Sequence, residues 1–233
     1  MKETELYAPL KEVFENNGYT VRGEVKNCDF VAEKDGRFVI VEMKTAFNLK
    51  LVYQALERRK MAEEVYVCIP RPKTGARGRT WRNMTDLLKE IRVGLITVAV
   101  DSPVKTVEVV LDSFEREAKG KRAEGLKKEF EARKLDLNTG GVNKTKLITA
   151  YREKSVKMAV LCLLKDEISL KEARSLNCNE SELKAFSTNH YNWFERVDKG
   201  VYKLSEKGTE EMNDKRFKEL LDYYKKYFSQ MSI

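Results

Sequence analysis

Asp29, Glu42 and Lys44 sit at the ends of two apolar runs, CDFVAEK and RFVIVEMK, joined by Asp35-Gly36. Asp-Gly between alternating apolar residues is a strong signal for a two-residue hairpin loop. That loop sets Lys34 opposite Arg37, Val31 opposite Ile40 and Asp29 opposite Glu42. Directly opposed side chains leave the sheet on one face, with Cβ atoms roughly 4.5–5.5 Å apart. Two carboxylates so placed repel each other unless a cation sits between them. Lys44, two residues beyond Glu42, shares their face by the strand period, while Val41 and Met43 face the other way. Such a trio suits phosphodiester hydrolysis. Paired carboxylates hold Mg²⁺ or Mn²⁺, the metal polarises the phosphate and activates a water, and the ammonium stabilises the developing negative charge.

Composition limits the alternatives. The 233 residues carry a formal charge of +8, 35% charged and 42% hydrophobic residues, enough apolar surface for a packed core. The sequence has no run of some eighteen apolar residues and starts without an apolar leader, so the expectation is a cytoplasmic protein with no membrane partner. Cys28, Cys68, Cys162 and Cys178 are far apart, without a CxxC pair, and read as free buried thiols. His190 is the single histidine, so metal chemistry falls to oxygen ligands. Its setting in NHYNWF reads as a packed residue at a helix end, with Trp193 and Phe194 anchoring the strands that follow.

The charge is uneven. Residues 1–69 have a net charge of −1, residues 70–140 of +5 and residues 141–233 of +4. The densest block is RPKTGARGRTWR, in which Arg71, Lys73, Arg77, Arg79 and Arg82 stand beside one Trp and no acid. A basic, glycine-containing loop with an aromatic can grip phosphates and stack on a base.

Elements that would position these residues follow from periodicity. Leu6, Leu10, Val13 and Phe14 predict a helix over 3–17, with Pro9 in its early turns. Strands are expected at 19–25, 28–34 and 37–43, a helix at 49–62 and a buried strand at 65–69. A helix linking strands in this way makes a crossover, hence a mixed α/β sheet. After the basic loop come a helix at 84–92 and strands at 94–100 and 106–111. Residues 1–113 form the first domain, 114–141 a charged helical connector ending at Asn138-Thr139-Gly140-Gly141, and 142–233 a second domain. The connector is basic and could touch a backbone phosphate.

The second domain changes character. Helices are expected over 145–164, 169–176 and 180–190, the last capped by Asn179 or Ser181, then two short strands around Asp198-Lys199-Gly200 and a final helix over 208–229. Three helices followed by a hairpin is the order of a winged helix-turn-helix. Lys184 would lie on its recognition helix and Lys199 at its wing, but over 179–204 four basic residues face four acids. Such a module can bind DNA, bind protein or build a homodimer.

The segment from ETELYAPLKEVF through VEMKTAFNLKLVYQALERRK to VYVCIP resembles the PD-(D/E)XK nuclease superfamily. It is similar in particular to an uncharacterised bacterial family of PD-(D/E)XK-type phosphodiesterases, and the likeness continues through LNTGGVNKTKLITAYRE and NHYNWFERVDKGVYKL. The resemblance implies a restriction-endonuclease-like αβββαβ core and a Mg²⁺- or Mn²⁺-dependent nuclease acting on nucleic acid, DNA before RNA. Asp29 would supply the motif's Asp, after Cys28 rather than the frequent Pro, and Glu42-Met43-Lys44 its (D/E)XK. Glu5 would match an acid of the first helix that often adds a metal ligand, and Gln54 a polar residue near the site or the DNA. The alternative is a non-catalytic nucleic-acid binder or transcription regulator that retains the fold; a third is a subunit recruiting a protein partner.

Overall fold

The computed structural model describes residues 2–72, 77–114, 120–142 and 146–231. Its chain divides into two units, Met1–Leu147 and Ile148–Ile233. In the first, helix α1 (Thr4–Asn16) precedes a six-stranded sheet whose spatial order is that of the sequence: β1 (Thr20–Val25), β2 (Cys28–Lys34), β3 (Arg37–Met43), β4 (Glu64–Pro70), β5 (Gly94–Val98) and β6 (Val107–Leu111). β1, β2 and β3 run antiparallel, β3 to β5 parallel, and β6 antiparallel again. Helix α2 (Leu49–Arg58) makes the crossover from β3 to β4, and α3 (Arg79–Glu90) the one from β4 to β5. The succession α1-β1-β2-β3-α2-β4 is that of a restriction-endonuclease-like core.

The β2–β3 turn has the chemistry its sequence demands. Asp35 and Gly36 both adopt positive φ, 53° and 78°, the pair a two-residue primed turn requires. The register follows, with Lys34 opposite Arg37, Val31 opposite Ile40 and Phe30 opposite Val41. Both faces of the sheet are covered. Val31, Ile40 and Val67 pack with Leu51 and Ala55 of α2, whereas Phe30, Val41 and Met43 pack with Leu6 and Leu10 of α1. Burying Leu51 completely is worth about 2 kcal/mol and sets the face that α2 turns to the sheet.

α3 begins at Arg79, five residues before the expected start. Gly78, at φ 111°, supplies the break, and Met84 and Leu88 form the buried stripe. The connector yields α4 (Lys121–Ala132), which buries Leu126 and Phe130 in the same core as α2. Its C-cap Arg133 donates to the carbonyls of Gly23 and Glu24 at 3.0 and 2.9 Å. This charged stretch is therefore built into the first unit.

The second unit comprises α5 (Ala150–Lys165), β7 (Glu167–Ser169), α6 (Leu170–Ser175), α7 (Glu180–Thr188), β8 (Phe194–Asp198), β9 (Val201–Leu204), α8 (Glu206–Met212) and α9 (Lys218–Ser229). Asn179 caps α7 in a reciprocal capping box with Glu182. β7 was not legible in the sequence. Three residues are too few for a period to show, and only pairing with β9 makes them a strand, in an antiparallel sheet ordered β7-β9-β8. The single helix expected over 208–229 breaks at Asn213, because the Asp214 carboxylate accepts from the Arg216 N–H and starts a new turn. Trp193 and Phe194 are buried, Trp193 edge-on to Phe217 and Phe194 edge-on to Phe186. His190 is exposed, its ring tilted against Tyr151. All four cysteines are free and buried. No described helix is long and apolar enough to cross a membrane.

Candidate active site

Asp29 and Glu42 lie one step beyond the Phe30–Val41 pair, on the α2 side of the sheet. Glu42 is fully buried and Asp29 nearly so. Asp29 Oδ2 accepts from the Met43 N–H at 2.9 Å, which fixes its carboxylate across the two strand ends. Lys44 follows directly, its Nζ 3.7 Å from Asp29 Oδ2 and donating to the Met43 carbonyl at 2.8 Å.

α2 supplies the support for Glu42. Gln54 Nε2 donates to Glu42 Oε2 at 3.0 Å, and one turn later Arg58 Nε donates to Oε1 at 2.6 Å. Residues four apart share a helix face, so one helix addresses both oxygens of one carboxylate. Arg58 also reaches the Asn27 carbonyl at 2.7 Å, tying α2 to the turn that precedes Asp29.

The first-helix acid that meets Lys44 is Glu3, just ahead of α1, whose Oε2 accepts from Nζ at 2.9 Å. Glu5 is exposed and accepts from the Lys2 backbone N–H. A further acid comes from β1: Glu24, buried and at positive φ, accepts from the N–H groups of Gly141 and Val142 at 2.9 and 3.3 Å. The Asn138–Gly141 stretch, which reads as a boundary in the sequence, thus closes onto the site. Asp136 pins it by accepting from Tyr7, Lys11 and the Gly23 N–H. A Cβ at Gly140 would collide with the Asp29 carbonyl and the Tyr7 ring, so only glycine lets the segment approach this closely.

Burial, and after it the charge of Asp29, push Glu42 up to about 8, against the pull of Arg58 and Lys44. The same two causes raise Glu24 to about 7, with the Gly141 and Val142 N–H groups and Lys44 opposing. Burial works against the Lys44 ammonium, yet Asp29 and Glu3 outweigh it and hold it above the ordinary lysine range.

The basic loop opens from the end of β4. Arg77 and Trp81 share a cavity of about 350 Å³ with Thr45 and Phe47, the residues just past Lys44. Arg79 and Arg82 are exposed on the first turn of α3. Arg71 pairs with Glu108 at 2.8 Å, and Lys73 lies outside the described residues. In the second unit Lys184 is exposed on α7 and Lys199 at the tip of the β8–β9 hairpin.

The donors fit a divalent cation with oxygen ligands. Asp29 and Glu42 are hard carboxylate donors whose proximity costs energy, and Gln54 Oε1 beside them is buried with no hydrogen bond among the described residues. No group of three or more His, Cys, Asp or Glu among the described residues encloses a metal. Arg58, Glu3 and Glu24 were missed in the sequence. Only for Arg58 was there a signal, its spacing of four from Gln54.

Residues 96–211 match the family model described as "Putative PD-(D/E)XK phosphodiesterase". The matched stretch excludes Asp29, Glu42 and Lys44 and includes Asn138–Val142, the segment packed against them. No curated protein and no solved structure matches the chain.

Proposed function

We propose, from the premise that the chain belongs through residues 96–211 to this family of PD-(D/E)XK phosphodiesterases, that it is a divalent-metal-dependent nuclease cleaving phosphodiester bonds of nucleic acid, DNA before RNA. The observation that carries this reading is the burial of Asp29 and Glu42 beside one another, with the Lys44 ammonium 3.7 Å from Asp29. Asp29 and Glu42 would hold Mg²⁺ or Mn²⁺, which when bound polarises the phosphate and lowers the pKa of a coordinated water.

The chain's own groups do the rest. Met43 N–H, Gln54 and Arg58 hold the two carboxylates in fixed orientations, so little reorganisation is needed as charge develops. Lys44, steadied by Glu3 and the Met43 carbonyl, offers a charged donor to a phosphate oxygen. Thr45, Phe47, Arg77 and Trp81 form a cavity next to Lys44 where a neighbouring sugar and base can rest. We read the second unit as a winged helix that takes part in substrate or partner contact through α7 and the β8–β9 hairpin.

The test is cleavage of supercoiled plasmid and labelled oligonucleotides, DNA and RNA, with Mg²⁺, Mn²⁺ or EDTA. Wild type is expected to cut only with metal, and Glu42→Gln at least about 10³-fold more slowly. Equal rates for the two proteins would sink the assignment. A second reading has one observation in its favour, the closure of Glu42 Oε1 by Arg58. A non-catalytic nucleic-acid binder would keep that ion pair permanently and show salt-sensitive binding without turnover.

A further inference from the structure

We infer that a second basic pocket, formed by Lys26, Arg58, Lys121 and Arg122, binds a phosphate group of the substrate strand next to the bond being cut. This inference rests on the nuclease reading and adds a subsite to it. The pocket is a cavity of about 340 Å³ where three separate pieces of the first unit converge. Lys26 comes from the two-residue turn between β1 and β2, Arg58 from the end of α2, and Lys121 and Arg122 from the first turn of α4. Glu57 and Met61 complete most of the wall.

Three features point to an anion. Four cations and one acid line the cavity: Arg58 is paired with Glu42 behind the wall, and Glu57, the lining acid, approaches Arg58 only to 3.9 Å with a side chain 68% exposed. Among the described residues Lys26, Lys121 and Arg122 make no ion pair, although their long side chains border one cavity. Like charges gathered in this way repel unless an anion joins them. The α4 N-terminus also borders the pocket, and no side chain caps it at Gly120, so its dipole adds to the positive field.

Arg58 ties the pocket to the catalytic carboxylates. Its Nε bonds Glu42 and another nitrogen bonds the Asn27 carbonyl, while the same side chain lines the cavity. A phosphate held there is therefore one guanidinium away from Glu42. A strand lying with its scissile phosphate over Asp29 and Lys44 would place an adjacent or terminal phosphate in this pocket. The ligand chemistry is a phosphate mono- or diester, supplied either by a strand end or by the continuous backbone.

The test measures binding in EDTA, so that cleavage does not intervene. The triple variant Lys26→Ala/Lys121→Ala/Arg122→Ala is compared with wild type and with an equal charge removal elsewhere on the first unit, Lys60→Ala/Lys89→Ala/Lys105→Ala; all six positions are exposed. Probes are one single-stranded oligonucleotide with a 5′-phosphate, a 3′-phosphate or neither, and a single-stranded circle without ends. The pocket variant is expected to bind at least about tenfold more weakly. Its log–log salt slope should be shallower by about 2, since each lost phosphate contact on a single strand removes roughly 0.7. The control triple should change affinity by less than about threefold. A loss confined to end-phosphorylated probes assigns the pocket to a terminal phosphate, and an equal loss on the circle assigns it to the backbone; both support the site. Identical behaviour of the two triples overturns it. The two readings fail separately. A wild type that never cleaves while the pocket variant loses binding removes the nuclease reading alone, and metal-dependent cleavage with unaltered binding by the pocket variant removes the pocket alone.

Discussion

Two half-buried or buried lysines, one in each unit, are held in opposite ways. Lys157 in α5 donates to Glu182 at 2.8 Å and lies over the rings of Tyr224, Tyr227 and Phe228, and nearby Glu153 accepts from Tyr224 at 2.9 Å. Each buried charge there has a dedicated partner. Lys44 instead serves Glu3 and Asp29 together, while Glu42 and Glu24 are pushed toward their neutral forms by burial and by Asp29. In one cluster each charged group has a hydrogen-bond partner of its own; in the other several acids crowd around a shared ammonium. Individually paired groups hold an element in place, and crowded acids are where a metal or substrate adds binding energy.

The largest effect should come from exchanging both lysines for methionine. Lys44→Met is expected to lower metal-dependent cleavage by about 10²–10³-fold per folded molecule, and to cost stability as well, because Asp29 and Glu3 lose their shared cation. Lys157→Met should leave turnover per folded molecule intact and cost about 2–4 kcal/mol of stability, because Glu182 loses its partner in a mostly buried setting. If Lys157→Met proved as stable as wild type, the contrast would collapse.

The pH dependence sharpens it further. Glu42 and Glu24 titrate higher in the folded chain than the ordinary 4.5, so the folded state holds their protons more tightly than the unfolded one. Their contribution to stability is complete below about pH 4.5 and is lost as pH rises through about 7 and 8. Thermal melts in EDTA are expected to fall over that window. Glu42→Gln should flatten the decline, and millimolar Mg²⁺ should reverse it in wild type only. An unchanged slope in Glu42→Gln would mean that Glu42 is already ionised at neutral pH.

The smallest effect is expected from the basic loop. Arg77→Ala or Arg82→Ala should each weaken oligonucleotide binding by less than about tenfold and make the salt slope shallower by about 0.7–0.9, whatever the sequence bound. A change in base preference instead would give that arginine a role in reading bases.

The hairpin carries its own instructions, and so the Asp29–Glu42–Lys44 trio was readable in one dimension. Asp35-Gly36 fits one kind of turn, that turn fixes the register, and the register decides which residues share a face. Crossovers at α2 and α3 followed from the alternation of periods; for the cap on α7 the sequence offered Asn179 or Ser181, and the structure uses Asn179. Other features depend on contacts between distant segments, for which no local pattern exists. Glu3 rather than Glu5 meets Lys44, 41 positions away in the chain, and Gly141 reaches Glu24 across 117 positions of chain. Lys26, Arg58 and the start of α4 frame one cavity only once all three have packed around the sheet. The sequence by itself determined which groups could do chemistry and their order along one hairpin. Tertiary structure alone decided which acids and cations surround them, because burial and the approach of remote charges set both their orientation and their protonation.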